Sequence, residues 1–243
     1  MLQSPNYIHF RNQWQVLGLE AAGQWPDKKT FLQLMDQLNE APIDIDFDDF
    51  SYKPEHSICE MGKLRGSYTE GGQAFTKIAC ATNEITLVEE WTESTAEQFK
   101  DKFVEILKIW FRQFPHTAVI AQKCCLRALV QPTIVNDSRY FLGNCIMKIK
   151  EPMHQTFKTM PFKIGFTFTC LREMQGYQLY VDTTVNSWRD NRRVWLQVEG
   201  TYPMREPMNA SNPDKARFPF EDCQSLLESE VIGFLNQFDK KEN

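Results

Sequence analysis

The 243-residue chain lacks any run of about 18 consecutive apolar residues, and its opening MLQSPNYIHFRNQWQ has neither a basic start nor an apolar stretch. A membrane span and a conventional export signal are therefore not expected. It has no C-x-x-C pair, so the usual redox and zinc signatures are missing. The four histidines, His9, His56, His116 and His154, include no i, i+4 pair and no G-x-S-x-G context, which removes the helical zinc site and the nucleophile elbow. Gly62 and Gly66 in GKLRGS lack the spacing of a phosphate-binding loop. No cofactor and no metal is expected, and no catalytic residue is assigned.

What is present is the composition of a folded globular chain, 42% hydrophobic, 13% aromatic and 24% charged. The seven cysteines, Cys59, Cys80, Cys124, Cys125, Cys145, Cys170 and Cys223, are odd in number and lie in apolar or strand-like sequence. Reduced structural thiols and a cytoplasmic compartment are the expectation.

Residues 6–19, rich in aromatic and β-branched side chains, predict a strand. Phe31, Leu34, Met35 and Leu38 predict one face of a helix over 28–40. An acidic loop over 40–50 and three strands near 57–68, 73–80 and 84–91 follow, with Gly71-Gly72 and Thr82-Asn83 as turns. Ser94 with Glu97 reads as a capping box before a long helix to Phe114, and Pro115 stops it. The order then returns: a strand over 117–131, a short helix from Ser138, strands around 164–171, 177–185 and 194–198 with a turn at Gln175-Gly176, a loop from Pro203 to Pro219, and a helix over 220–238. The fold class expected is α+β, with pseudo-duplicated strand-helix-meander-helix halves, 1–115 and 116–243, sharing an antiparallel sheet with long helices packed on one face.

Asp44, Asp46, Asp48 and Glu55 fall on four ligand positions of an EF-hand loop, but Asp49 stands where Gly is required and Pro54 opposes the exit helix. A solvated acidic loop accounts for them, and calcium is expected to leave the melting temperature unchanged. Gly71-Gly72-Gln73 is read as a hairpin turn.

Charge is distributed unevenly. Residues 1–114 carry a net charge of −7, residues 115–205 carry +6 and residues 206–243 carry −4, within a total of −5. In the basic middle, SWRDNRRVW sets Arg189, Arg192 and Arg193 beside Trp188 and Trp195. Guanidinium groups near aromatic faces suit phosphate, nucleic-acid or acidic-protein recognition. The bland alternative is a charged hairpin tip facing water.

The runs EWTESTAEQFKDKF, CLRALVQP (125–132), SRYFLGN, Leu179-Tyr180-Val181-Asp182 and FEDCQSLLESEVIGFLNQF resemble a sporadically distributed family of uncharacterised prokaryotic two-half α+β proteins, over residues 90–243. The resemblance implies that architecture and a microbial cytoplasmic origin; it brings no catalytic residues. The function expected is binding of a protein partner or small ligand without membrane insertion. One alternative is a nucleic-acid-binding surface joining the 188–195 hairpin with Lys148, Lys150, Lys158 and Lys163. Another is an enzyme whose site is assembled from distant residues, with His116 or His154 sharing a cleft with a cysteine or carboxylate.

Overall fold

The computed structural model describes residues 1–20, 24–69, 72–149, 156, 158, 161–174 and 177–240. Gly71, the Gln175-Gly176 turn, Lys150 and His154 lie outside the described residues.

The first strand β1 (Asn6–Leu17) is followed by helix α1 (Lys28–Glu40), whose N-cap Asp27 accepts the Thr30 backbone N–H at 2.8 Å. Strands β2 (Asp49–Lys53), β3 (Ile58–Thr69), β4 (Gly72–Ala81) and β5 (Glu84–Glu90) come next, then α2 (Ala96–Gln113). After β6 (Ala118–Val130), a short α3 (Ser138–Tyr140) runs into a π turn (Phe141–Ile146). Strands β7 (Gly165–Met174), β8 (Tyr177–Ser187) and β9 (Val194–Met208) lead to α4 (Arg217–Ser225), a second π turn (Leu226–Val231) and α5 (Ile232–Asn236).

The strands form a nine-stranded antiparallel sheet in the order β2-β3-β4-β5-β1-β6-β9-β8-β7. This corrects the expected fold class. The sheet dominates, the helices other than α2 are at most 13 residues long among the described residues, and long helices packed on one face of a sheet are not what the chain builds. The first meander has a fourth strand, β2, paired with β3 from Asp49 opposite Gly62 to Lys53 opposite Ile58, and in the exposed loop before it Lys63 pairs with Asp46 and Asp48 at 3.2 and 2.8 Å, and Arg65 with Asp44 at 2.9 Å. The C-terminal helical run is interrupted by a π turn, in which the Ile232 N–H donates to the Leu227 carbonyl, while its buried residues Phe220, Cys223, Leu227, Val231 and Leu235 keep ordinary helical spacing.

The chain divides into two compact units, one of residues 8–125 and 200–221, the other of 1–7, 126–199 and 222–243. In the first, the apolar face of α2 meets β1: Phe10 stacks on Phe99 at 4.9 Å, Trp14 lies 6.0 Å from Phe103, and Phe220 sits 5.6 Å from Phe103. Burial of such rings supplies most of the packing energy, roughly 2 kcal/mol or more each. In the second unit the core-facing residues Val181, Val185, Val194, Leu196 and Val198 lie buried with Leu226, Leu227, Val231 and Leu235.

Candidate binding surface

The tip between β8 and β9 is a closed turn. The Trp188 N–H donates to the Arg193 carbonyl at 2.8 Å, and the Asn191 N–H donates to the Trp188 carbonyl at 2.9 Å, with Asn191 in the left-handed region at φ 58°. Asp190 holds the turn from inside. One of its oxygens accepts the Arg192 and Arg193 backbone N–H groups at 2.8 and 3.0 Å, and the other accepts from the Arg193 Nε at 2.6 Å. Partial burial pushes the Asp190 carboxyl upward, but these donors together hold it below the ordinary value.

The three sequence-selected arginines therefore differ. Arg193 is consumed by Asp190, whereas Arg189 and Arg192 are exposed. The Arg189 guanidinium lies 5.0 Å from the Trp188 ring centroid. Trp195, half-buried, has the Arg127 guanidinium 6.0 Å from its centroid, and the Arg127 Nε donates to the Gln197 Oε1 at 2.8 Å. The 188–193 bond carries the register inward, so Trp188 and Trp195 share the face opposite the buried Ser187 and Val194. Two guanidinium–indole pairs are thus presented on one face of the same hairpin.

Arg127 escaped the sequence reading. Its signal is a lone charge on an otherwise apolar stretch of β6, Cys124 to Val130. Lys163 is brought near the tip by strand pairing, because the bond from Ser187 N–H to the Ile164 carbonyl, 2.7 Å, leaves it level with Trp188. Lys148 and Lys158 are exposed, both at positive φ, and nothing described joins them to the tip.

His9 Nδ1 lies 2.6 Å from the Glu90 carboxylate, and His116 is exposed after α2. Among the described residues no group of three or more His, Cys, Asp or Glu side chains could hold a metal ion. All seven cysteines are thiols. Burial pushes Cys59 up to about 12 and raises Cys80 and Cys170, the reverse of what a nucleophile needs. No helix among the described residues is long and apolar enough to cross a membrane. A largely apolar groove of about 330 Å³ runs between β7 and the C-terminal helical stretch, lined by Phe166, Phe168, Cys170, Leu226, Val231 and Phe234 together with Glu230.

The chain matches no family model, no curated protein and no solved structure.

Proposed function

We propose that this chain acts by binding, and that the β8–β9 hairpin with β6 receives an anionic group of a protein partner, an acidic segment. The observation that carries this reading is the pair of guanidinium–indole contacts, Arg189 with Trp188 and Arg127 with Trp195, beside the exposed Arg192. A guanidinium over an indole keeps its donor edge for a carboxylate while its flat face stays desolvated. The net charge of −5 repels a long polyphosphate at range and favours a short acidic segment over nucleic acid. The seven thiols suit a reducing, cytoplasmic setting.

Tryptophan fluorescence titrated with a hexaglutamate peptide at low ionic strength tests it. Binding is expected, weakening with salt, and Arg189→Ala/Arg192→Ala is expected to reduce affinity about tenfold. Arg193 is left in place because Asp190 already holds it. No binding, or binding that the double variant leaves unchanged, overturns the reading. Tighter binding of an oligothymidylate, with a salt slope reduced by about two in the double variant, moves the assignment to nucleic acid.

A further inference from the structure

The two ends of the sheet are guarded very differently. Strand β2, at one end, is five residues long and begins and ends on charged residues, Asp49 and Lys53. Strand β7, at the other, is ten residues long; its charges, Arg172 and Glu173, stand at its far end and Lys163 just before it, and from Ile164 to Leu171 the sequence IGFTFTCL holds no charge and no proline. Among the described residues no strand lies beyond it. A long uncharged edge is the template that proteins normally blunt with lysine, proline or a bulge. Its flanks are apolar too: Leu171 and Tyr180, paired across β7 and β8, are 57% and 66% exposed, Phe162 is 77% exposed, and Phe234 at the mouth of the apolar groove is 39% exposed.

The backbone phase of this edge is set. Because the Ile164 carbonyl accepts from Ser187, the even-numbered residues of β7 turn their main-chain groups toward β8. The odd-numbered ones, Gly165, Thr167, Thr169, Leu171 and Glu173, turn theirs outward.

We propose that two copies of this chain pair antiparallel through β7, centred on Phe168, to make one sheet continuous across a two-fold axis. In that register Thr167 opposes Thr169 of the second copy and Gly165 opposes its Leu171. All four residues of those pairs are of the outward-facing set, which allows about eight inter-chain main-chain hydrogen bonds. Phe168 opposes Phe168 of the second copy and Phe166 opposes its Cys170, so the groove-lining side chains of the two copies meet at the centre. Lys163 then opposes Glu173 of the second copy, and both are exposed in the single chain. Charge complementarity at both ends of the pairing selects the second copy as occupant and selects this register. A shift of the axis by one residue keeps the backbone phase, but at Thr167 it puts Lys163 opposite Leu171 and at Thr169 it puts Glu173 opposite Gly165, and either loses both ion pairs.

The test is the oligomeric state of the full chain by sedimentation equilibrium at micromolar concentration. A dimer is expected. Lys163→Glu and Glu173→Lys should each raise the dissociation constant about tenfold, since each turns two exposed attractive pairs into repulsive ones. The combined variant, with the charges exchanged, should return it to near the starting value. Thr167→Pro, which removes an outward N–H that no described strand uses, should give a monomer with an unchanged far-ultraviolet circular dichroism spectrum. A monomeric parent chain, a dimer that Thr167→Pro leaves intact, or a combined variant no tighter than the single ones overturns the proposal. None of these outcomes bears on the hairpin arginines, so this inference and the proposed function fail separately.

Discussion

The Lys102 ammonium, on the second turn of α2, is paired with the Glu89 carboxylate at the end of β5, and both side chains are almost wholly buried, 4% and 2% exposed. Glu89 also accepts from the Thr92 hydroxyl at 2.6 Å, and the Ser94 Oγ lies 3.4 Å from the Lys102 Nζ. Each charge is tolerable there only because the other is present. Lys102→Met should therefore cost about 3–5 kcal/mol in urea unfolding, by stranding Glu89. The combined Lys102→Met/Glu89→Leu variant should recover most of that loss. If the double variant is no more stable than the single, the pair is not the source of the cost.

Asp239 ties the C-terminus to the loop after β6. Its buried carboxylate accepts the Thr133 N–H at 2.9 Å, the Thr133 hydroxyl at 2.8 Å and the Ile134 N–H at 3.1 Å. Burial alone would raise its pKa, but the Thr133 hydroxyl and the two backbone donors outweigh it and hold the carboxyl below the ordinary 3.8. A depressed folded-state pKa contributes stability that is complete above the unfolded value and is lost as pH falls through the folded one. Asp239→Ala should cost about 2 kcal/mol near neutral pH. The gap between parent and variant should close once the pH drops below the ordinary carboxylate range. A gap that stays constant down to strong acid would show that the charge plays no part.

How much of this could be read from residues alone depends on the range of the interaction concerned. The strands β1, β3, β4 and β5 and the helices α1 and α2 follow from local periodicity, which is a property of neighbouring residues. Strand β2 does not: Asp44, Asp46 and Asp48 do lie in an exposed loop, and the short run DFSYK after it takes strand form only by pairing with β3, Tyr52 opposite Cys59. The π turn in the C-terminal helical run was not legible, because Phe220, Cys223, Leu227, Val231 and Leu235 follow ordinary helical spacing straight through it. At the hairpin, residue types pointed to Arg189, Arg192 and Arg193 together. The Asp190 between them, visible in the same string, decides that Arg193 is spoken for; Lys163, named with the hairpin for its charge, is the lysine that strand pairing brings level with the tip, while Arg127 arrives only through the structure.

The capping box of α2 lies one residue later than Ser94 and Glu97. Thr95 accepts the Gln98 N–H at 3.2 Å, and the Gln98 side chain accepts the Thr95 N–H at 2.8 Å. Ser94 instead faces Lys102. Thr95→Ala should therefore cost about 1 kcal/mol, measured by chemical denaturation. Ser94→Ala should cost less, since its contact with Lys102 is long and the ion pair with Glu89 remains. The reverse order of the two losses would return the cap to Ser94.

Cys59 and Cys80 sit directly opposite one another on β3 and β4, both buried. Burial, and to a smaller degree the neighbouring Glu60 charge, pushes the Cys59 thiol up to about 12. Burial also lifts Cys80 well above its usual value, with the charge of Cys59 adding to it. Thiol reagents attack the thiolate, and at pH 8 a thiol of pKa 12 is ionised in only about one molecule in ten thousand. In the native protein the half-exposed Cys145 should therefore label first, while Cys59 and Cys80 should label only at the rate at which the sheet opens. In denaturant, without added reductant, all seven should react. Peptide mapping after timed alkylation reads both results. Rapid labelling of Cys59 or Cys80 in the folded protein would show that β3 and β4 part readily, and fewer than seven reactive thiols in denaturant would show that some had been oxidised to disulfides.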